Sequence, residues 1–190
     1  VKIIRSLLAS LLLGTDRAAN TMGQYDAYLK NLGQPVMSGK HHLVDSRVYQ
    51  PLQLLPVATA SHPATVITAD LLNIISQQIV DVAYFDPPYN MRQYCDNYHV
   101  LENLARWEQP PVSGKTRKFP RQQLKSPFSK RTEVHAAFMT LLDGCQASHI
   151  YISYSSEGLI AETELMSLLE RYGTVARWDF HYPVFGHGAG

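Results

Sequence analysis

From residue 2 to residue 19 the apolar positions recur at helical spacing. Ile3, Leu7, Leu8, Leu11, Leu12 and Ala18 share a face, which predicts a buried amphipathic helix. Asn20-Thr21-Met22-Gly23 breaks the pattern. Residues 24–31 fit a short helix, and 32–42, punctuated by Gly33, Pro35 and Gly39, read as loop. Val48 to Leu55 is at best an edge strand, because Pro51 cannot donate to a ladder.

From Ala64 the period alternates. Ala64-Thr65-Val66-Ile67-Thr68 is short and β-branched, which predicts a strand, and Leu71 to Ile79 predicts a helix. Val80 to Phe85 reads as a buried strand that stops at Asp86-Pro87-Pro88. Tyr98 to Trp107 is helical, 109–131 is loop rich in proline, glycine and lysine, and Glu133 to Leu142 is helical again. His149 to Tyr154 predicts a strand, Ala161 to Tyr172 a helix and Thr174 to Tyr182 a last strand. Strands alternating with helices imply βαβ units, an α/β fold and a parallel sheet covered on both faces.

Composition narrows the function classes only slightly. With 190 residues, 45% of them apolar, the chain can bury one sizeable core. A net charge of +1 creates no global field, so a nucleic-acid signal must be local. Cys95 and Cys145 are far apart and lack metal-type spacing, which points to free thiols in a reducing compartment. The longest apolar run near the start, Leu11-Leu12-Leu13, is too short to span a bilayer, and Asp16 and Arg17 follow it without a cleavage pattern. A cytoplasmic location is the expectation left. The eight histidines show no ligand spacing (His41 and His42 are adjacent, His181 and His187 lie near the end), so no metal is expected. The chain opens on Val1 within helical text and ends on Gly190 just after a strand-like run, which raises the expectation of a fragment.

The chemistry concentrates at Asp86-Pro87-Pro88-Tyr89. In open α/β sheets ligands bind beyond the carboxyl ends of strands, where this tetrapeptide falls. A carboxylate accepts hydrogen bonds. A Pro-Pro step is stiff, lacks N–H donors and presents carbonyl oxygens. A tyrosine offers a flat face with a polar tip. Together they suit a planar base bearing an amino group. Two acceptors, the Asp86 side chain and the Pro87 carbonyl, would bind its two protons and localise the nitrogen lone pair for attack on a methyl group. The ring would stack on Tyr89, and such a base must leave the duplex stack to be reached. The plain alternative is a turn that ends a strand.

A second cluster is electrostatic. Residues 114–131 hold seven cations, Lys115, Arg117, Lys118, Arg121, Lys125, Lys130 and Arg131, with no acid and with Phe119 and Phe128 interleaved. Such a loop can pair with phosphates, while its aromatics stack on bases. The alternative is a solvated loop.

The stretch from Asp86 through Arg92-Gln93-Tyr94, Asn97-Tyr98-His99 and Leu101-Glu102 to Pro110 resembles the adenine-specific DNA methyltransferases of restriction–modification systems. Ala18-Ala19-Asn20-Thr21, Tyr25 to Leu29 and Ser153-Tyr154-Ser155-Ser156-Glu157-Gly158 are similar to the same family, so the likeness spans most of the chain. The resemblance implies a Rossmann-like fold, S-adenosylmethionine as methyl donor, double-stranded DNA with a specific recognition sequence as substrate and a cognate restriction endonuclease as possible partner. It implies a catalytic role for Asp86, Pro87, Pro88 and Tyr89. It places Asp70 at the cofactor adenine, where helix capping is an equally good reading of a carboxylate before Leu71. It puts Arg92, Tyr94 and Asn97 at the target-base pocket, with His99 in the same stretch, against the alternative that Asn97 caps the following helix. It sets Ser153 and Tyr154 at the pocket border, where a plain turn is as good a reading. The charge of the basic loop, apart from the resemblance, puts Lys115, Arg117, Lys118 and Arg121 beside the DNA.

One departure matters. The family's glycine-rich turn after its first strand, which lets backbone approach the methionine part of the cofactor, is absent from these residues; Gly14 and Gly23 are isolated. The expectation is therefore a partial catalytic domain over 1–190 with a basic loop at about 109–131, lacking the first strand and that turn. The rival readings are amino-methylation of RNA adenine or DNA cytosine, and a DNA-binding remnant without catalysis.

Overall fold

The structure, a computed structural model, describes residues 2–19, 21, 25, 49–57, 62, 64–120 and 122–181. Its centre is a pair of parallel strands, β1 (Ile79–Phe85) and β2 (Gln146–Ile152). Their register sets Ala83 beside Ile150 and Phe85 beside Ile152. The described residues also form six α-helices: α1 (Lys2–Ala18), α2 (Leu71–Ile74), α3 (Tyr94–Asn97), α4 (His99–Arg106), α5 (Val134–Gly144) and α6 (Glu162–Leu169). The crossover from β1 to β2 runs through α3, α4, the basic segment and α5, and a long connection of this kind is what parallel strands require.

The core lies on one face of the sheet. In α5, Val134, Ala137, Phe138, Leu141 and Leu142 recur at helical spacing and are all buried. They meet Ala83 and Phe85 of β1, Ile75, Phe128, Ile160 and, from α6, Leu165 and Leu168. Phe138 is the hub, with Phe128 and Tyr154 both edge-on to its ring at centroid distances of 5.2 and 5.6 Å. Such edge-to-face pairs add to burial through the ring quadrupole.

Several expectations from the pattern change. Among the described residues the sheet is covered on one face: Val80, Val82 and Tyr84 point away from the core and are exposed. Residues 64–68 and 174–181 form no strand, and Val66 is 87% exposed. Their β-branched and aromatic residues suit a pleated surface, yet a strand exists only when another pairs with it. Residues 49–57 likewise form no strand; they pack on α1, where the Ser10 hydroxyl donates to the Leu55 carbonyl and Gly14 abuts the Gln53 carbonyl. Consequently α1 buries Ser10 and Gly14, and of the apolar face expected to be buried Leu8, Leu11, Leu12 and Ala18 are half-buried while Ile3 and Leu7 are exposed. The helix after Leu71 ends early. Ile75–Gln77 tighten into a 3-10 turn and Ile79 already belongs to β1. β2 begins at Gln146 rather than His149, because Gln146 and Ala147 pair with Ile79 and Val80 whatever their polarity. The expected helix at 24–31 and loop at 32–42 lie outside the described residues apart from Tyr25.

Candidate active site

Asp86-Pro87-Pro88-Tyr89 leaves the carboxyl end of β1, as the sequence predicts. Proline cannot extend the ladder, so the strand stops there. Two hydrogen bonds fix the tetrapeptide. The Ser153 N–H donates to the Phe85 carbonyl at 2.9 Å, and the Leu159 N–H donates to the Tyr89 carbonyl at 2.8 Å. The turn after β2 is thereby held beside the turn after β1, which brings Ser153 next to Asp86. Tyr154, by contrast, turns its ring into the core against Phe138, and its hydroxyl accepts the Ile160 N–H. A methyl group on Gly158 would collide with that ring, so glycine is what lets the turn close.

The acceptors the chemistry needs are available. Pro87 is buried, yet no described hydrogen bond ends on its carbonyl. Asp86 is exposed, and its carboxylate makes no hydrogen bond or ion pair with a described residue. Tyr89 and Tyr94 both bear on the same place: burial, then Asp86, Tyr98 and Tyr89, push the Tyr94 phenol above its ordinary range. Tyr94 therefore stays a neutral phenol beside a carboxylate. Tyr98 stands four residues on, with its ring centroid 6.0 Å from that of Tyr94. Tyr98 was legible only as the start of a helix; its i, i+4 spacing from Tyr94 was the signal for an aromatic pair.

The segment after the motif is built around buried polar groups. Asn90 Oδ1 accepts the Arg92 N–H at 3.0 Å, a local turn that leaves the Arg92 side chain exposed. Gln93 and His99 are buried and tie this segment to the basic one. Asn97 is 5% exposed, and its side-chain oxygen is the only such buried side-chain atom without a partner among the described residues. The N-cap of α4 is Tyr98, whose side chain makes no capping bond, and since Asn97 Oδ1 has no partner the capping alternative for Asn97 is not what occurs. An orphaned buried acceptor carries a desolvation penalty unless a donor is supplied. Asp70 does cap: its Oδ1 accepts the Leu72 N–H at 3.0 Å at the start of α2, in the exposed position before β1.

The basic segment is not a formless loop. Ser113 and Lys118 exchange both backbone hydrogen bonds across a four-residue turn, in which Gly114 and Arg117 take left-handed conformations with φ of 71° and 55°. Lys115 and Arg117 are exposed at the turn. Lys118 pairs with Asp96 of α3 at 3.7 Å. Two 3-10 turns, Gln122–Leu124 and Pro127–Ser129, follow, and the second buries Phe128 in the core. Phe128 is thus a core residue and not a base wedge. Arg121 lies outside the described residues.

Cys95 and Cys145 are free thiols, and burial pushes that of Cys145 up. Among the described residues no His, Cys, Asp and Glu gather as a metal site, and no helix is long and apolar enough to cross a membrane.

Comparison with known proteins agrees with this geometry. Residues 3–168 match the family model of D12 class N6 adenine-specific DNA methyltransferases. The chain is 36% identical over 169 residues to the type II methyltransferase M.FokI of Planomicrobium okeanokoites, covering 88% of this chain and 24% of that one. It is 34% identical over 169 residues to the type II methyltransferase M.NlaIII of Neisseria lactamica, covering 88% and 46%. It is 32% identical over 168 residues to the modification methylase StsI of Streptococcus sanguinis, covering 87% and 24%. The chain therefore spans less than half the length of these curated relatives. No solved structure matches it. With the match running from α1 into α6 and taking in the whole Asp86 site, the chain belongs to the D12 class N6 adenine-specific DNA methyltransferase family.

Proposed function

We propose that this chain carries the substrate side of a DNA adenine methyltransferase that modifies the 6-amino group of a flipped adenine within a specific recognition sequence, as one half of a restriction–modification pair with a cognate endonuclease. The single observation that carries the reading is the pair of unused acceptors at the end of β1, the Asp86 carboxylate and the Pro87 carbonyl, beside the Tyr89 ring. In this reading β1 and β2 are part of a Rossmann-like sheet, and residues 1–190 are part of one catalytic domain whose basic segment is at 109–131.

The roles follow from the donor and acceptor inventory. Asp86 and the Pro87 carbonyl each accept a hydrogen bond from one N–H of the exocyclic amine, which draws the nitrogen toward tetrahedral geometry. Pro88 keeps the turn stiff, so that the two acceptors hold their separation without reorganising. Tyr89 stacks on the base, and the neutral Tyr94 phenol beside Asp86 lines the pocket with Tyr98, Ser153 and Arg92. The orphaned Asn97 oxygen is an acceptor for a donor that arrives with substrate or cofactor. Lys115, Arg117, Lys118 and Arg121 meet phosphates, which fix register while the base rotates out.

S-adenosylmethionine, when bound, supplies the electrophilic methyl. The residues fit it in part. Asp70 offers an exposed carboxylate to the cofactor's adenine end while its Oδ1 caps α2, and the sequence contains no glycine-rich turn for the methionine end. Only the binding of the cofactor's adenine end is therefore assigned here, to Asp70.

Incubating the intact protein with unmethylated duplex DNA and S-adenosylmethionine labelled on its methyl tests the reading. Label is expected in N6-methyladenine of DNA and is expected to vanish with Asp86→Ala. Label confined to RNA or to cytosine would overturn the substrate assignment, and retained transfer by the variant would overturn the mechanism.

A further inference from the structure

Gln93 and His99 are buried polar side chains close after the motif, at 6% and 1% exposure, and their hydrogen bonds go to backbone groups rather than to the acceptors of the proposed chemistry. Both reach across to the basic segment. Gln93 uses both ends of its amide on one residue: Nε2 donates to the Ser126 carbonyl at 3.3 Å, and Oε1 accepts the Ser126 N–H at 2.8 Å. This is the pattern a neighbouring strand would make, supplied by a side chain. The His99 ring bridges two backbones, with Nδ1 2.9 Å from the Asp96 carbonyl and Nε2 2.8 Å from the Thr116 carbonyl. Thr116 lies in the hairpin turn between Lys115 and Arg117. Ser129 adds a third tie through its hydroxyl, which donates to the Arg92 carbonyl at 3.3 Å.

We propose that Gln93 and His99 are positioning residues, two clasps that hold the basic segment at a fixed distance from the Asp86 pocket and so match phosphate grip to the reach of a flipped base. The proposal rests on the reading above, in which that segment meets DNA. The physical case is one of spacing and entropy. A connection of this length carries many conformations, and phosphate contacts position a duplex only if the cations making them are themselves placed. The hairpin tip has little packing of its own: Lys115 and Arg117 are exposed and Gly114 has open space around it. Its place relative to the motif is therefore set by the groups that span the gap. His99 holds the carbonyl between the two exposed cations, and Gln93 holds the far end of the segment just before Phe128 enters the core. Both clasps start from the dozen residues that follow the motif, so the pocket and the phosphate grip share one frame.

The test uses the intact protein, unmethylated duplex DNA and labelled S-adenosylmethionine. Gln93→Glu keeps the acceptor for Ser126 N–H and loses the donor to its carbonyl. His99→Phe keeps the ring and loses both polar contacts. Each variant is expected to raise KM for DNA about fivefold, the scale of one lost hydrogen bond. Under the same conditions kcat at saturating DNA should stay near the parent value, while the thermal melt falls modestly because each variant leaves a backbone carbonyl without its donor. His99→Gln, which restores a donor toward Thr116, should recover most of the KM, and it carries the comparison if His99→Phe melts below the assay temperature. An unchanged KM in Gln93→Glu and His99→Phe, or a parallel fall in kcat and melting temperature with KM unchanged, overturns the proposal. Lys115→Ala with Arg117→Ala separates the layers. If that double variant raises KM while the clasp variants do not, the clasps alone are refuted; if it too leaves KM unchanged, the DNA-contact reading of the segment fails.

Discussion

A carboxylate with no cation beside it keeps its lone pairs for whatever amine arrives. Among the described residues Asp86 makes no hydrogen bond or ion pair, and Tyr89, Tyr94 and Tyr98 add aromatic faces near it without adding positive charge. Asp86→Ala should therefore cut methyl transfer to adenine by at least about a hundredfold, the usual scale for removing a group that handles a reacting proton. Because the carboxylate is exposed and makes no hydrogen bond or ion pair with a described residue, the thermal melt of that variant should match the parent within error. Gly158→Ala predicts the opposite profile. Its added methyl meets the Tyr154 ring, so the turn beside Tyr89 must shift, and a chemical-denaturation curve should show a loss of about 1–3 kcal/mol. Tyr25 gives a pH signature. Burial, with Asp16 beside it, raises its phenol well above the ordinary value near 10, and its hydroxyl donates to Asp16 at 3.2 Å. Above about pH 10 the unfolded chain has released the proton that the folded chain still holds, so stability should fall as pH rises from there. Denaturation midpoints compared at pH 8 and 10.5 should show a smaller loss in Tyr25→Phe than in the parent.

At the scale of elements, α5 organises the fold. Its apolar stripe was plain in the sequence, and five of its residues reach the core. Phe138 is fully buried between Phe128 and Tyr154, so Phe138→Ala removes the contact that joins the basic segment, the β2 turn and the sheet. It should cost about 3–5 kcal/mol in urea unfolding. The strands were less legible. Val80 to Phe85 could be seen because it is continuously apolar apart from Asp81, and Gln146 could not, because its place in β2 comes from pairing with Ile79. Residues 64–68 and 174–181 carry strand-type side chains and form no strand, since β propensity describes fitness for a surface that a partner must first create. Helix limits shifted for local reasons. Trp107 takes a left-handed conformation with φ of 55°, its N–H returning to Asn103 and Leu104, and α4 stops at Arg106.

For the whole molecule, the proposed DNA substrate poses the question of how a chain of net charge +1 would meet a polyanion. The answer offered is local: cations are concentrated at the hairpin of residues 113–118 and its sequel, tied down next to the pocket. Each phosphate contact releases counterions, so replacing Lys115 and Arg117 with alanine should reduce the slope of log affinity against log salt by about 1.8 for duplex DNA. A slope unchanged in a filter-binding series would exclude both side chains from phosphate contact.

The kind of chemistry was readable from residues alone because it depends on adjacent groups: an acceptor side chain, a carbonyl between prolines and an aromatic ring occupy consecutive positions, Asp86 to Tyr89. Helix α5 and strand β1 were readable for the same reason, since periodicity is local. Folding alone decided which distant groups share a site. Ser153 reaches the motif through the Phe85 carbonyl, Tyr154 leaves the pocket for the core, and Asn97 keeps a buried oxygen without a donor. Gln93 and His99 looked like ordinary polar residues near a motif, and became clasps only when residues 33 and 17 positions away came within hydrogen-bonding distance. Hydrogen bonds act over about 3 Å, and no local pattern encodes which of many distant carbonyls will stand that close.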